Sequence, residues 1–171
     1  MRRRIVPALR AAAFAAVVAV VLGACGGGRD TPEIAYETLR AAVATRDPHL
    51  YYEIHQNEIR ALARQSAAEW RARIERGEAP RDVLAEAGGV TEPELRQGTL
   101  EDAAGWVLVH HSPVTARSRW YEGAVIVKTA PDGADAVCLR LRGTDGTESD
   151  LWMLKELEGW ALDTQRTWLR K

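Results

Sequence analysis

Two stretches decide the fold: Ala134-Asp135-Ala136-Val137-Cys138-Leu139-Arg140-Leu141-Arg142 and Ser149-Asp150-Leu151-Trp152-Met153-Leu154-Lys155-Glu156. Both alternate apolar and polar residues with a period of two, the pattern of a half-buried strand. The link between them carries Gly143-Thr144-Asp145-Gly146, rich in turn formers, which makes the strands antiparallel neighbours. Pairing Leu139 with Leu151 sets Val137 opposite Met153 and makes one face apolar. The same register sets Arg140 opposite Asp150 and Cys138 opposite Trp152 on the other face. A slip by one residue would scramble both faces, so the pattern specifies this register.

Working outward, strands are expected at 119–128 and 160–165, joined through Pro131-Asp132-Gly133 and Glu158-Gly159. The register of the first pair stays open by one residue. A two-residue turn with Leu157 facing Trp160 would place Asp163 opposite Leu154. Upstream the period is helical. Asp30 or Thr31 caps a first helix with Pro32 in its first turn, and Asp47-Pro48 stops it. A second helix is expected from 48 to 75, with Tyr52, His55, Ile59, Leu62, Ser66, Trp70 and Ile74 as its buried stripe. A short helix over 80–87 ends at Gly88-Gly89, and a loop runs through Thr91-Glu92-Pro93. A last helix starts at Thr99, with Asp102 in capping-box position, and reaches about Val109; the run Trp106 to Val109 is β-prone and reads alternatively as a strand, with helix preferred. Helices first and a meander last give an α+β fold: N-terminal helices packed on a C-terminal antiparallel meander of three to four strands.

The N-terminus carries a different signal. Arg2, Arg3, Arg4 and Arg10 are followed by an apolar run from Ala11 to Leu22, too short for a bilayer core that needs about 20 residues. The run closes on Leu22-Gly23-Ala24-Cys25, which resembles the lipobox of bacterial lipoproteins. The resemblance implies cleavage after Ala24 and lipidation of Cys25, and so a membrane partner through an N-terminal lipid. Residues 1–24 are then a signal peptide, 25–30 a lipidated cysteine with a glycine-rich tether, and 31–171 a single α+β domain. Gly26 in place of an aspartate favours the periplasmic face of the outer membrane over the inner membrane. Cleavage removes four arginines and no acids, so 23 basic against 24 acidic residues becomes 19 against 24, a net charge of −5. Such a surface offers no footprint for nucleic acid. With Cys25 acylated, Cys138 is the one remaining thiol, and an intramolecular disulfide is excluded. Cys138 itself reads as a small hydrophobe with nothing placed to activate it.

A second resemblance rests on Asp150-Leu151-Trp152-Met153-Leu154-Lys155 through Glu158-Gly159-Trp160-Ala161-Leu162-Asp163, which looks like the closing hairpin of NTF2-like (cystatin-like) domains. The opening helix from Thr31-Pro32-Glu33 to Arg46-Asp47 is similar to their first helix. The chain departs from that family where an early strand normally separates helices two and three. The family implies a cone-shaped pocket between helices and sheet.

Chemical motifs are sparse. His110-His111 are adjacent, so they point about 100° apart on a helix and chelate one metal poorly; no metal and no cofactor is expected. There is no GxSxG, P-loop or GxGxxG, and no residue is assigned a catalytic role. His55 reads as a hydrogen-bonded core or boundary histidine. Trp70 lies on a helix stripe, and Trp120, Trp152 and Trp160 lie in strands, placements that serve a core better than a ligand platform. If the sheet lines a pocket, Trp152, Arg140, Asp150 and Asp163 stand at its mouth. Asp163 either sits among Leu154, Trp152 and Trp160, the setting a general base needs, or pairs with Arg140 or Arg166. Two functions follow. The first is a non-enzymatic envelope lipoprotein that binds a protein partner, a lipid or a small apolar ligand. The second is a small NTF2-like isomerase or dehydratase using Asp163 or His55 as base.

Overall fold

The computed structural model describes residues 29–169. Cys25 and Ala24, the residues expected to carry the lipid and the cleavage site, lie outside these residues. Helices α1 (Pro32–Thr45), α2 (Pro48–Ile54), α3 (Asn57–Glu75), α4 (Pro80–Glu86), α5 (Glu92–Arg96), α6 (Leu100–His111), α7 (Pro113–Ala116) and α8 (Ser118–Gly123) come first. Strands β1 (Val125–Pro131), β2 (Ala136–Arg142), β3 (Glu148–Glu156) and β4 (Gly159–Leu162) follow, and α9 (Thr164–Leu169) closes the described chain. The sheet is an antiparallel meander in the order β1-β2-β3-β4, so the fold is α+β with helices on its apolar face. Among the described residues no helix is long and apolar enough to cross a membrane.

The β2–β3 register is the one the alternation requires. Leu139 pairs with Leu151, Val137 with Met153, Cys138 with Trp152 and Arg140 with Asp150. Leu139, Leu141, Leu151 and Met153 are fully buried on the inner face. The outer face carries the ion pairs Arg140–Asp150 (2.8 Å) and Arg142–Glu148 (2.7 Å). Between β1 and β2 a bulge at Ile126/Lys128 absorbs the one-residue ambiguity, pairing Thr129 with Leu139.

Several helix ends follow local rules. Thr31 accepts a hydrogen bond from Ile34 N, Pro32 opens α1, and Arg46 ends it in the left-handed region. Thr99 and Asp102 cap α6 reciprocally, and the helix runs through Trp106 to His111. The loop expected at 91–93 is instead the start of α5, because Thr91 and Glu94 form a second capping box. Gly105 is where α6 crosses α2: a Cβ there would lie 1.9 Å from the Pro48 carbonyl oxygen, so only glycine permits this approach. The buried Tyr36 hydroxyl donates to the carbonyl of Ala124 (3.1 Å) and ties α1 to the start of the sheet.

Three expectations are corrected. The long second helix is broken: His55 and Gln56 adopt extended backbone, and His55 forms a parallel bridge to Leu162 of β4. The 3.6-residue period runs through this break, so periodicity alone cannot show it. In α3 the buried face is also rotated from the expected stripe. Leu62 is exposed, while Arg60, Ala63, Ala67 and Ile74 are buried, because alanines let α3 approach α6 closely. The strand expected at 119–128 begins only at Val125. Ser118–Gly123 is helical, so Trp120 is not a strand residue. Its indole stands edge-on to buried Tyr121 and donates to Thr147 Oγ1 (2.7 Å), contacts that outweigh the local alternation.

The last hairpin is shifted by one. Glu156 pairs with Gly159 and Lys155 with Trp160, leaving Leu157-Glu158 as the turn. Gly159 has φ +113° and a Cβ on it would meet the Arg29 carbonyl at 2.6 Å, so the chain's entry fixes this register. Asp163 consequently moves from Leu154 to Trp152, whose carbonyl accepts from Asp163 N (2.8 Å). The expected strand at 160–165 ends at Leu162, where Asp163 accepts from Arg166 N (2.9 Å) and starts α9.

Candidate functional site

The break between α2 and α3 places His55 at the centre of the molecule, 1% exposed. The extended backbone that interrupts the helix is what turns this side chain inward against β4. Its Nδ1 lies 2.6 Å from the Tyr51 carbonyl oxygen. A carbonyl only accepts, so Nδ1 carries the proton and Nε2 is the lone-pair nitrogen. Nε2 has no hydrogen-bond partner among the described residues. Burial is the main cause that pushes the imidazole down to about 4, the Tyr51 carbonyl opposes it, and the nearby Arg60 charge adds to the depression. His55 is therefore neutral at pH 7, with Nε2 left as an acceptor at the cleft.

Beside it opens a cleft of about 240 Å³ lined by His55, Ile59, Leu108, His111, Ser112, Pro113 and Thr164. Its walls come from the α3 start, the end of α6 and the start of α9. Thr164 Oγ1 is buried there without a hydrogen-bond partner among the described residues. Unsatisfied buried hydroxyls are uncommon, since each forgoes its hydration, about 1–3 kcal/mol. The cleft thus combines apolar walls with one unpaired acceptor and one unpaired hydroxyl. That arrangement can hold a small neutral molecule that donates to Nε2.

A second, wider cleft of about 530 Å³ lies nearby, lined by Tyr52, Asn57, Arg60, Arg64, Leu100 and Glu158 among others. Here the polar groups are mutually engaged. Arg60 donates to Glu158 (2.5 Å) and to Asn57, and its guanidinium lies over the Tyr52 ring at 5.5 Å. Arg29, placed by the sequence in the tether, is packed into the domain at 3% exposure. Its guanidinium donates to the Glu53 carbonyl (2.5 Å) and stands 3.6 Å from Glu158 Oε2, while its carbonyl accepts from Trp160 N (2.8 Å). Burial and the neighbouring Arg60 charge lower the Arg29 pKa, and bonding to Arg60 holds the Glu158 carboxyl below the usual range. Sequence reasoning missed Arg29, Arg60 and Thr164. Arg60 reads as one more charged position on a helix, and nothing in its spacing announces Glu158.

The four residues expected at a pocket mouth do not form one group. Arg140 and Asp150 hold each other on the outer sheet face through two hydrogen bonds (2.8 and 3.0 Å), both half exposed. Asp163 is buried, caps α9 and stands 3.3 Å from Arg166, the pairing with an arginine that the sequence allowed. Trp152 lies beneath the Arg166 guanidinium at 5.8 Å. Asp163 and Trp152 therefore meet, through their backbone hydrogen bond and around Arg166, apart from either cleft's lining. Cys138, half buried beside Asp150, has its thiol pKa raised by burial and by that carboxylate, the opposite of a nucleophile's setting.

The two adjacent histidines serve the fold. His110 Nε2 meets Glu94 at 3.0 Å, and His111 Nε2 meets the Ala87 carbonyl at 3.1 Å. His111 packs so closely on Gly88 that a Cβ there would lie 2.4 Å from its ring. Among the described residues no cluster of three or more His, Cys, Asp or Glu is arranged to hold a metal. Comparison with known proteins gives no relative: no family, no curated protein and no solved structure matches this chain.

Proposed function

We propose that this chain is a lipid-anchored protein of the bacterial cell envelope whose domain is a non-enzymatic binding module for a small neutral ligand. The observation that carries the binding reading is the His55 cleft: a neutral imidazole acceptor and an unpaired Thr164 hydroxyl at apolar walls. Its volume of about 240 Å³ is below the usual range for drug-sized ligands and has room for about eight water-sized groups. An alcohol, phenol or amide of that size fits its chemistry; an ion does not, because the site excludes charge from its own histidine. The anchoring reading rests on Arg2 to Cys25, with the periplasmic face of the outer membrane as its place.

A second reading, an NTF2-like isomerase or dehydratase, is favoured by one feature. His55 is unprotonated at pH 7, as a general base must be. Asp163, the other candidate base, is engaged in capping α9 and pairing with Arg166.

Native mass spectrometry of residues 29–171, secreted to the periplasm of a bacterial host, tests the binding reading. The fragment must begin at Arg29, which is part of the packed domain. A mass excess that vanishes on denaturation, and that is missing from His55→Phe, is the expected result. A bare polypeptide mass that stays bare after incubation with phenol and small amides counts against it.

A further inference from the structure

Leu157 is fully exposed, 105% of its reference area, whereas the next most exposed large apolar side chains among the described residues, Leu62 and Val125, reach 56%. It forms the tip of the β3–β4 turn between two glutamates, a place where an unpartnered leucine has no structural task. The flanking carboxylates are both turned back onto the protein. Glu156 accepts from Asn57 N (2.9 Å) at the start of α3, and Glu158 accepts from Arg60. The tip therefore presents an apolar side chain beside carboxylates that are engaged with the protein, Glu158 remaining partly open to solvent and paired with Arg60. Two residues below it, exposed Lys155 pairs across the hairpin with half-buried Trp160, residue types that suit the headgroup layer of a membrane.

The entry of the chain lies at this same tip. Arg29 is bonded to Trp160 and touches Gly159, which is two residues from Leu157. Only Gly26, Gly27 and Gly28 separate Arg29 from Cys25, so the two α-carbons are at most about 14 Å apart. Resting on the lipid-anchored reading above, we propose that the Leu157 turn is the face on which the domain sits against the bilayer, with Leu157 entering the headgroup–acyl boundary. The β2–β3 turn at Thr144 is then held away from the membrane by the length of β3, about 28 Å.

The test uses the full chain expressed in a bacterium, with Cys138→Ala and either Leu157→Cys or Thr144→Cys, both at exposed turn positions. Alkylation by an impermeant maleimide is followed in sonicated membranes and again after detergent solubilisation. The expected result is that Leu157→Cys reacts roughly ten-fold more slowly in membranes than in detergent, while Thr144→Cys reacts equally in both. Equal rates for Leu157→Cys in membranes and detergent, with Cys25 unreactive because it is acylated, overturn the orientation and leave the anchor standing. A soluble chain whose Cys25 reacts freely overturns the anchor, and the orientation with it.

Discussion

The two clefts on either side of the α2–α3 break solve one problem in opposite ways. Both bury groups that water would normally serve. In the corner of Arg29, Arg60 and Glu158 the charges are kept and paired among guanidiniums, carboxylate and backbone carbonyls, with Arg29 Nε alone left buried without a partner among the described residues. At His55 the charge is given up: burial keeps the imidazole neutral, and Nδ1 alone is engaged. Paired charges leave little for a ligand to bind, however large the cleft, and the one unmatched group, Arg29 Nε, is not part of the cleft's lining. A neutral group with one unused lone pair, beside an unpaired hydroxyl, leaves a vacancy that a ligand can fill. Cleft volume would select the first; unused hydrogen-bonding capacity selects the second.

The largest effect that separates the two regions is acid sensitivity. An ordinary histidine takes up a proton near 6.5 and His55 near 4, so in that window the unfolded chain binds more protons and stability is lost as the pH is lowered, by about 3 kcal/mol in all. Urea unfolding at pH 7, 5.5 and 4 is expected to show this fall for the native chain and a flatter profile for His55→Gln. An unchanged slope in His55→Gln would mean that carboxylates govern the acid limb.

Next in size is the charged corner. Glu158→Gln leaves Arg29 and Arg60 without their shared carboxylate and is expected to cost about 1–2 kcal/mol, reduced by solvent at the exposed Glu158 side. Its acid slope between pH 6.5 and 4 should remain, which distinguishes it from the His55 variant. Thr164→Val removes the unpaired hydroxyl and is expected to be neutral or stabilising by up to about 1 kcal/mol, while weakening any ligand found by mass spectrometry. A clear destabilisation, seen in the same urea titration, would show that the hydroxyl is satisfied. Smallest is Arg140→Ala on the outer sheet face, which should leave the melting curve unmoved because the pair is open to water.

The parts of the fold that were legible are those where local pattern and packing agree. The β2–β3 register follows from alternation alone, because only one pairing buries Leu139 with Leu151 and Val137 with Met153. The α6 start follows from Thr99 and Asp102, and α1 from Thr31 and Pro32. Misreadings occur where a distant contact overrides the pattern. Trp120 lies in an alternating stretch but turns helical against Tyr121 and Thr147. The Arg29 carbonyl sets the last hairpin one residue away from where its turn residues suggest. His55 was legible as a hydrogen-bonded core or boundary histidine on an apolar stripe. Its site was not, because the cleft needs α3, α6 and α9 brought together, and Thr164 was expected to lie in a strand. The Arg29–Arg60–Glu158 corner joins residues up to 129 positions apart and leaves no trace in spacing.

The most direct test of the account is the ¹⁵N spectrum of the His55 ring as a function of pH in the folded domain. The expected result is a neutral ring protonated at Nδ1 and free at Nε2 from pH 8 down to 5, with the Nε2 resonance shifting when a small donor such as phenol enters the cleft. A ring that titrates near 6.5, or that carries its proton at Nε2, would contradict the account: the cleft would be wet, or its acceptor absent.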